Sequence, residues 1–176
     1  MSPLLNTLEA SYSLAAGRRE EARARLNRVF EFAPDFYLAH RTQGLLQLVD
    51  RQPDLAIASL RRTVSLSDGN TRVNALLAMH LAHLGRREEA RTILAQLLDT
   101  ARTRHVPPVS LAVVLAALGE TGAALEQLER AYDDRDTQLI FLKDDSRRSG
   151  LRSEPWFQAL MQKLKLDRYG PGLSPT

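Results

Sequence analysis

The chain contains no cysteine. Disulfides, thiolate nucleophiles and sulfur-ligated metals are thereby excluded, and a reducing, cytoplasmic location is the expectation. Lysine is scarce, three residues against twenty-one arginines, and tryptophan occurs once. Aromatic residues make up 6% of the chain, too few for the stacking platforms that read single-stranded nucleic acid. No apolar run approaches the roughly eighteen residues of a membrane span. The start, Met1-Ser2-Pro3-Leu4, has no charged region leading into an apolar one, so no secretory signal is expected. Gly-rich phosphate loops, nucleophile elbows and zinc-binding spacings are missing as well. His80 and His83 are three apart on one stretch of predicted helix, but no acid or cysteine completes a metal set, and packed or solvated histidines are the stronger reading. Asp144 and Asp145, followed by Arg147 and Arg148, lie in a polar stretch with no apolar pocket to shift a pKa. Neither an enzymatic function nor a metal or cofactor is expected.

What the sequence has in abundance is itself. Gly17-Arg18-Arg19-Glu20-Glu21-Ala22-Arg23 recurs letter for letter at Gly85-Arg86-Arg87-Glu88-Glu89-Ala90-Arg91, sixty-eight residues later. Half that distance is also a period. Steps of thirty-four from Ala22 land on Ala56, Ala90 and Ala124; from Leu26 they land on Leu60, Leu94 and Leu128. From Ala10 they land on Gly44, Ala78 and Ala112, all small; from Gly17 they land on Arg51, Gly85 and Gly119. The chain is a repeat array.

Each unit reads as a helix, a tight turn and a second helix. Ala90, Ile93, Leu94, Leu97 and Leu98 recur at helical spacing and predict the apolar stripe of one second helix; Leu55, Ile57, Leu60 and Val64 predict another. The glycines close the first helices in the left-handed conformation, and the small residues let the two axes cross closely. Unit one pairs about 4–16 with 18–32 and stops at Pro34. Unit two runs from Phe36 to near Asp50, then from Pro53, suited to a first helical turn, to about Leu66. Ser67-Asp68-Gly69-Asn70 is a capping turn, unit three spans 71–102, and Thr103 to Pro108 is a stiff connector. Unit four runs from Val109 through Gly119 to Tyr132.

A thirty-four-residue helical hairpin with this small–Gly–Ala–Leu spacing and a closing proline resembles the tetratricopeptide repeat. The resemblance implies an all-α, right-handed superhelical solenoid of about four hairpins over 3–135, with capping helices over 136–166 and a disordered tail over 167–176. Two departures stand out, the first being that only unit one has the closing proline, Asp68 taking its place in unit two. The aromatic and leucine expected in each first helix are replaced by Glu9 and Ser13 in unit one and by Gln43 and Gln47 in unit two, with Tyr12 one residue out of phase. That shift suggests a rotated or extended first helix. Beyond Tyr132 the phase is lost. Pro155 stands in the first turn of a last helix, where Trp156, Phe157, Leu160, Met161 and Leu164 are placed to seal the end of the core.

Leu128-Glu129-Arg130-Ala131-Tyr132, Phe141-Leu142-Lys143 and Leu151 to Leu160 are similar to the closing segment of many bacterial tetratricopeptide regions. Those regions often follow a winged-helix DNA-binding, adenylate cyclase or protein kinase domain. The implied alternative function is therefore a regulatory module of a larger bacterial signalling protein.

The net charge of +3 and the alternation of Arg18, Arg19, Arg23, Arg25 and Arg28 with Glu20 and Glu21 predict a solvated outer face with helical ion pairs, not a nucleic-acid stripe. The resemblance places the first helices on a concave side. By phase, its lining is Leu38, Arg41, Leu45, Leu48 and Val49 from unit two. Unit three adds Arg72, Ala75, Met79, Ala82 and His83, and unit four Val109, Val113 and Ala117. No lysine–asparagine set for a peptide's terminal carboxylate is present on these helices. An apolar groove rimmed by arginine suits an amphipathic helix or extended apolar segment. The expected function is a non-enzymatic protein-interaction scaffold, its partner a protein or peptide segment or another copy of the chain.

Overall fold

The computed structural model describes residues 2–136 together with Leu139, Gln158 and Gln162. The capping helices expected over 136–166 and the tail over 167–176 fall almost wholly outside the described residues. Eight helices and no strand occur among those described. They pair as α1 (Pro3–Ala15) with α2 (Arg19–Phe32), α3 (Tyr37–Val49) with α4 (Pro53–Leu66), α5 (Thr71–His83) with α6 (Arg87–Thr100), and α7 (Pro108–Ala117) with α8 (Thr121–Asp133). The sequence-based boundaries hold to within about two residues.

The turns between paired helices have one design. Gly17, Gly85 and Gly119 adopt φ of 77°, 81° and 79°. Arg51, at the position without a glycine, adopts φ 58° all the same. In each turn the N–H one residue further on donates to the carbonyl five residues back: Arg18 to Ser13 and Arg86 to Leu81 at 2.8 Å, Gln52 to Gln47 at 2.8 Å, and Glu120 to Leu115 at 2.9 Å. The left-handed turn therefore forms at position 51 without a glycine. Side chains cap the outer ends, with Ser2 Oγ accepting from Leu5 N–H at 3.3 Å and Asn70 Oδ1 from Arg72 N–H at 3.0 Å.

The small residues sit where the period puts them. Ala10, Ala22, Ala56, Ala78, Ala90 and Ala124 are completely buried, and Leu26, Leu60 and Leu128 nearly so. At Gly44 the helices of hairpin two come so close that a Cβ would stand 3.0 Å from Leu60 Cγ and 3.3 Å from the Ala56 carbonyl oxygen. Two stripe residues are displaced from expectation: Leu55 is 54% exposed and Leu98 46%. Both lie at the edges of their stripes. Phe30 and Val64, which correspond to Leu98, are half-buried. Nor is α1 rotated, since Thr7, Ala10 and Ser13 face inward and Tyr12 faces out.

Successive hairpins stack. α1 packs on α3 and α5 on α7, while α2, α4 and α6 each pack on the next first helix. The row is interrupted once: α5 meets hairpin two chiefly through α4 rather than α3. Asp68 and Gly69 in that linker have φ of 49° and 70°, whereas the linker at 33–36 has no left-handed residue. Arginines tie later hairpins together, Arg87 donating to the Leu118 carbonyl at the end of α7 and Arg104 to the Gly69 carbonyl at 3.3 Å.

Candidate functional site

The first helices carry the candidate interaction surface, and their residues differ in how open they are. On α3, Leu38, Leu45 and Leu48 are half-buried, Val49 is exposed and Arg41 is exposed. On α5, Met79 is half-buried and Arg72 and His83 are exposed, whereas Ala75 and Ala82 are buried. On α7, Val113 is half-buried, but Val109 is buried with Ala112, Leu128, Ala131 and Leu139. Val109 thus belongs to the core of hairpin four, and Leu139 supplies part of its cover. Sequence phase places a residue on a face; it does not say what the following segment lays over it.

Leu45 and Leu48 of α3 and Met79 of α5 are half-buried on two helices that make little contact with one another. Buried and half-buried polar groups furnish the first half of the array. Ser11 Oγ and Thr42 Oγ1 are 3.1 Å apart between α1 and α3, and Ser59 Oγ donates to Gln47 Oε1 at 2.7 Å between α3 and α4. Glu9 pairs with Arg25. The polar residues that replace the expected aromatic and leucine are therefore partnered, not misplaced.

Arginines divide by face. On the second helices, Arg18, Arg23, Arg25, Arg61, Arg62, Arg86 and Arg91 each meet a carboxylate, for example Arg23 with Asp50 and Arg61 with Glu89, both at 2.5 Å. On the first helices, Arg41 and Arg72 pair with no described residue. Exposed intramolecular pairs of the first kind contribute little to stability.

His80 and His83 lie with ring centroids 6.4 Å apart. Burial pushes His80 down to about 4, with the neighbouring His83 adding to the effect, and its Nε2 is buried without a hydrogen-bond partner. His83 is lowered by partial burial too. At neutral pH the buried His80 ring is an uncharged packing group. No group of three potential metal ligands occurs among the described residues, and none of their helices is long and apolar enough to cross a membrane. A cleft of about 240 Å³ lies elsewhere, between α4, α5 and α6, lined by Arg61, Leu77, Leu81, Glu89, Thr92 and Ile93. It has no cluster of titratable groups beyond the Arg61–Glu89 pair.

Two models of the tetratricopeptide repeat match the chain, one over residues 48–106 and the other over 109–130. No curated protein and no solved structure matches it. The matches begin at the end of α3; hairpin one lies outside them but keeps the same period, turn geometry and buried alanines. Repeats of this kind serve protein–protein interaction. Over residues 48–130 the chain is built of tetratricopeptide repeats.

Proposed function

We propose that the chain is a non-enzymatic interaction scaffold that holds an amphipathic, partly acidic segment of another protein along its first helices. The observation that carries this reading is the placement of two arginines. Most of those on the second helices meet a carboxylate within the chain, whereas Arg41 and Arg72 are exposed and pair with no described residue beside the half-buried Leu38, Leu45, Leu48 and Met79. An apolar strip with free cations at its rim favours a helix or extended strand carrying leucine-type anchors and carboxylates. His83 and Val113 complete the strip, and Val109 contributes from beneath.

A photo-crosslinking amino acid at Leu45, compared with one at Ala95 on the exposed side of α6, tests this. Crosslinked partners from Leu45 alone, lost when Met79→Glu is added with helicity intact, are the expected result. Equal crosslinking from both positions, or a Leu45 product indifferent to Met79→Glu, contradicts it.

A further inference from the structure

The joint between hairpins two and three holds a group that its counterparts lack. Counting along the period, His80 of α5 corresponds to Leu46 of α3 and to Val114 of α7. Leu46 shares an apolar cluster with Leu26 and Val29 of the preceding second helix, and Val114 shares one with Leu94 and Leu97. The position therefore belongs to the contact between one hairpin and the next. Here it is filled by an imidazole whose Nε2 is buried with no hydrogen-bond partner among the described residues. A neutral ring tolerates such a site; a charged one is strongly disfavoured there. The joint is held by Ile57 and Leu60 of α4, which share a core with Ala75, Leu77, Ala78 and Leu81 of α5. Yet α5 packs more extensively on α6 and α7 than on α4, and it makes little contact with α3.

The charged groups around α5 offer the ring no counter-ion. On α4, Asp54 is exposed, Arg61 pairs with Glu89 and Arg62 with Asp35. On α6, Glu88 pairs with Arg91 and Asp99 with Arg102, while Arg87 donates to the Leu118 carbonyl. Helix α7 has no titratable residue. The described neighbour that does act on the ring is His83, and it adds to the cost of charging it. The Arg61–Glu89 pair bridges the joint, and Arg86 and Arg61 hold the Glu89 carboxyl below its ordinary range, so acid does not release it first. Being exposed, that pair ties the joint only weakly. We propose that the joint between hairpins two and three opens when His80 takes up a proton, α5 parting from α4 while each hairpin stays closed. In the closed joint the ring charges only near pH 4, whereas in water it charges near 6.5. Acid thus favours the open joint over the closed one by up to roughly a few hundredfold. Opening would also part Leu45 and Leu48 from Met79; that consequence for binding rests on the function proposed above, and the opening itself does not.

Because the chain has no cysteine, paired substitutions place spin labels uniquely. Ala58→Cys on α4 with Gln96→Cys on α6 spans the joint, and Arg72→Cys on α5 with Gln96→Cys lies within hairpin three; all three positions are exposed. Distances are read by double electron–electron resonance on the full chain, from pH 7 down to about 4. A longer population is expected to grow for the first pair and not for the second. His80→Leu, which installs the residue found at the equivalent position of α3, should abolish that growth. So should His80→Gln, a polar side chain that cannot be charged, which serves if the leucine variant does not fold. An unchanged distance across the joint down to about pH 4, an equal spread of both pairs, or a longer population that survives substitution of His80 overturns the proposal.

Discussion

Between α1 and α3 the contact is made by two hydroxyls, Ser11 and Thr42, 3.1 Å apart. One double period later, Met79 and Ser110 hold those places, and α5 and α7 are joined through a cluster that includes Leu77, Leu81, Leu111 and Leu115. The same backbone repeat is thus filled in two ways. Hairpins one and two have a small apolar cluster, Ala10, Leu26, Val29, Ala39 and Leu46, supplemented by hydrogen-bonded serine, threonine and glutamine. Hairpins three and four share a continuous apolar core that extends back only to Ile57 and Leu60 of α4. In a linear array each hairpin is stabilised by its neighbours alone. The difference therefore makes the head of the array the softer end, and the head is where α1 leaves its leucines open.

The largest expected effect comes from cutting the stronger core. Leu81→Ala should cost about 2–5 kcal/mol, read by denaturant unfolding, and should loosen α5 to α8 together. Leu26→Ala, equally buried, should destabilise α1 and α2 while leaving the amide protection of α6 to α8 nearly unchanged. Equal losses of protection along the whole chain from both variants would erase the comparison.

Acid should act on one half only. The unfolded His80 imidazole takes up its proton near pH 6.5, the folded one only near 4. Stability is thus complete above pH 6.5 and is lost as pH falls from there toward 4, by roughly 1–3 kcal/mol. Thermal melts at pH 7 and pH 5 should show the loss, and His80→Leu should flatten it. A pH response unaltered by that substitution would place the titration elsewhere.

The polar interface of the first half is open to conversion. Thr42→Val alone should destabilise by about 1 kcal/mol, since Ser11 loses its partner. The pair Ser11→Ala and Thr42→Val should restore most of that, making the α1–α3 contact resemble its apolar counterpart. A double variant as weak as the single one would show that the hydroxyls add more than mutual satisfaction.

The smallest effect concerns the turn. Arg51 holds a left-handed conformation that glycine takes up at positions 17, 85 and 119. Arg51→Gly should raise stability by roughly 0.5–1 kcal/mol, the relief of strain partly offset by glycine's greater freedom when unfolded. A lower melting temperature would mean that the arginine side chain contributes to the turn.

Much of this was legible from spacing alone. The period located the helices, the four turns and the buried alanines, because close helix crossings tolerate only small residues wherever they occur. Even the turn at Arg51 followed from phase. The groove was less legible. Phase put Val109 on the inward face, but Leu139, past the end of the repeat, helps to bury it. Leu98 belongs to an apolar stripe by period, yet it is open. The interruption between α3 and α5 follows from two left-handed residues in a linker whose length matches the one before it, and composition does not reveal that.

Native-state hydrogen exchange measures the gradient along the array most directly. The account predicts the lowest opening free energies in α1 and α2 and the highest in α5 to α7, with α3 and α4 between. A single opening energy shared by all eight helices, or a maximum in α1 and α2, would contradict it.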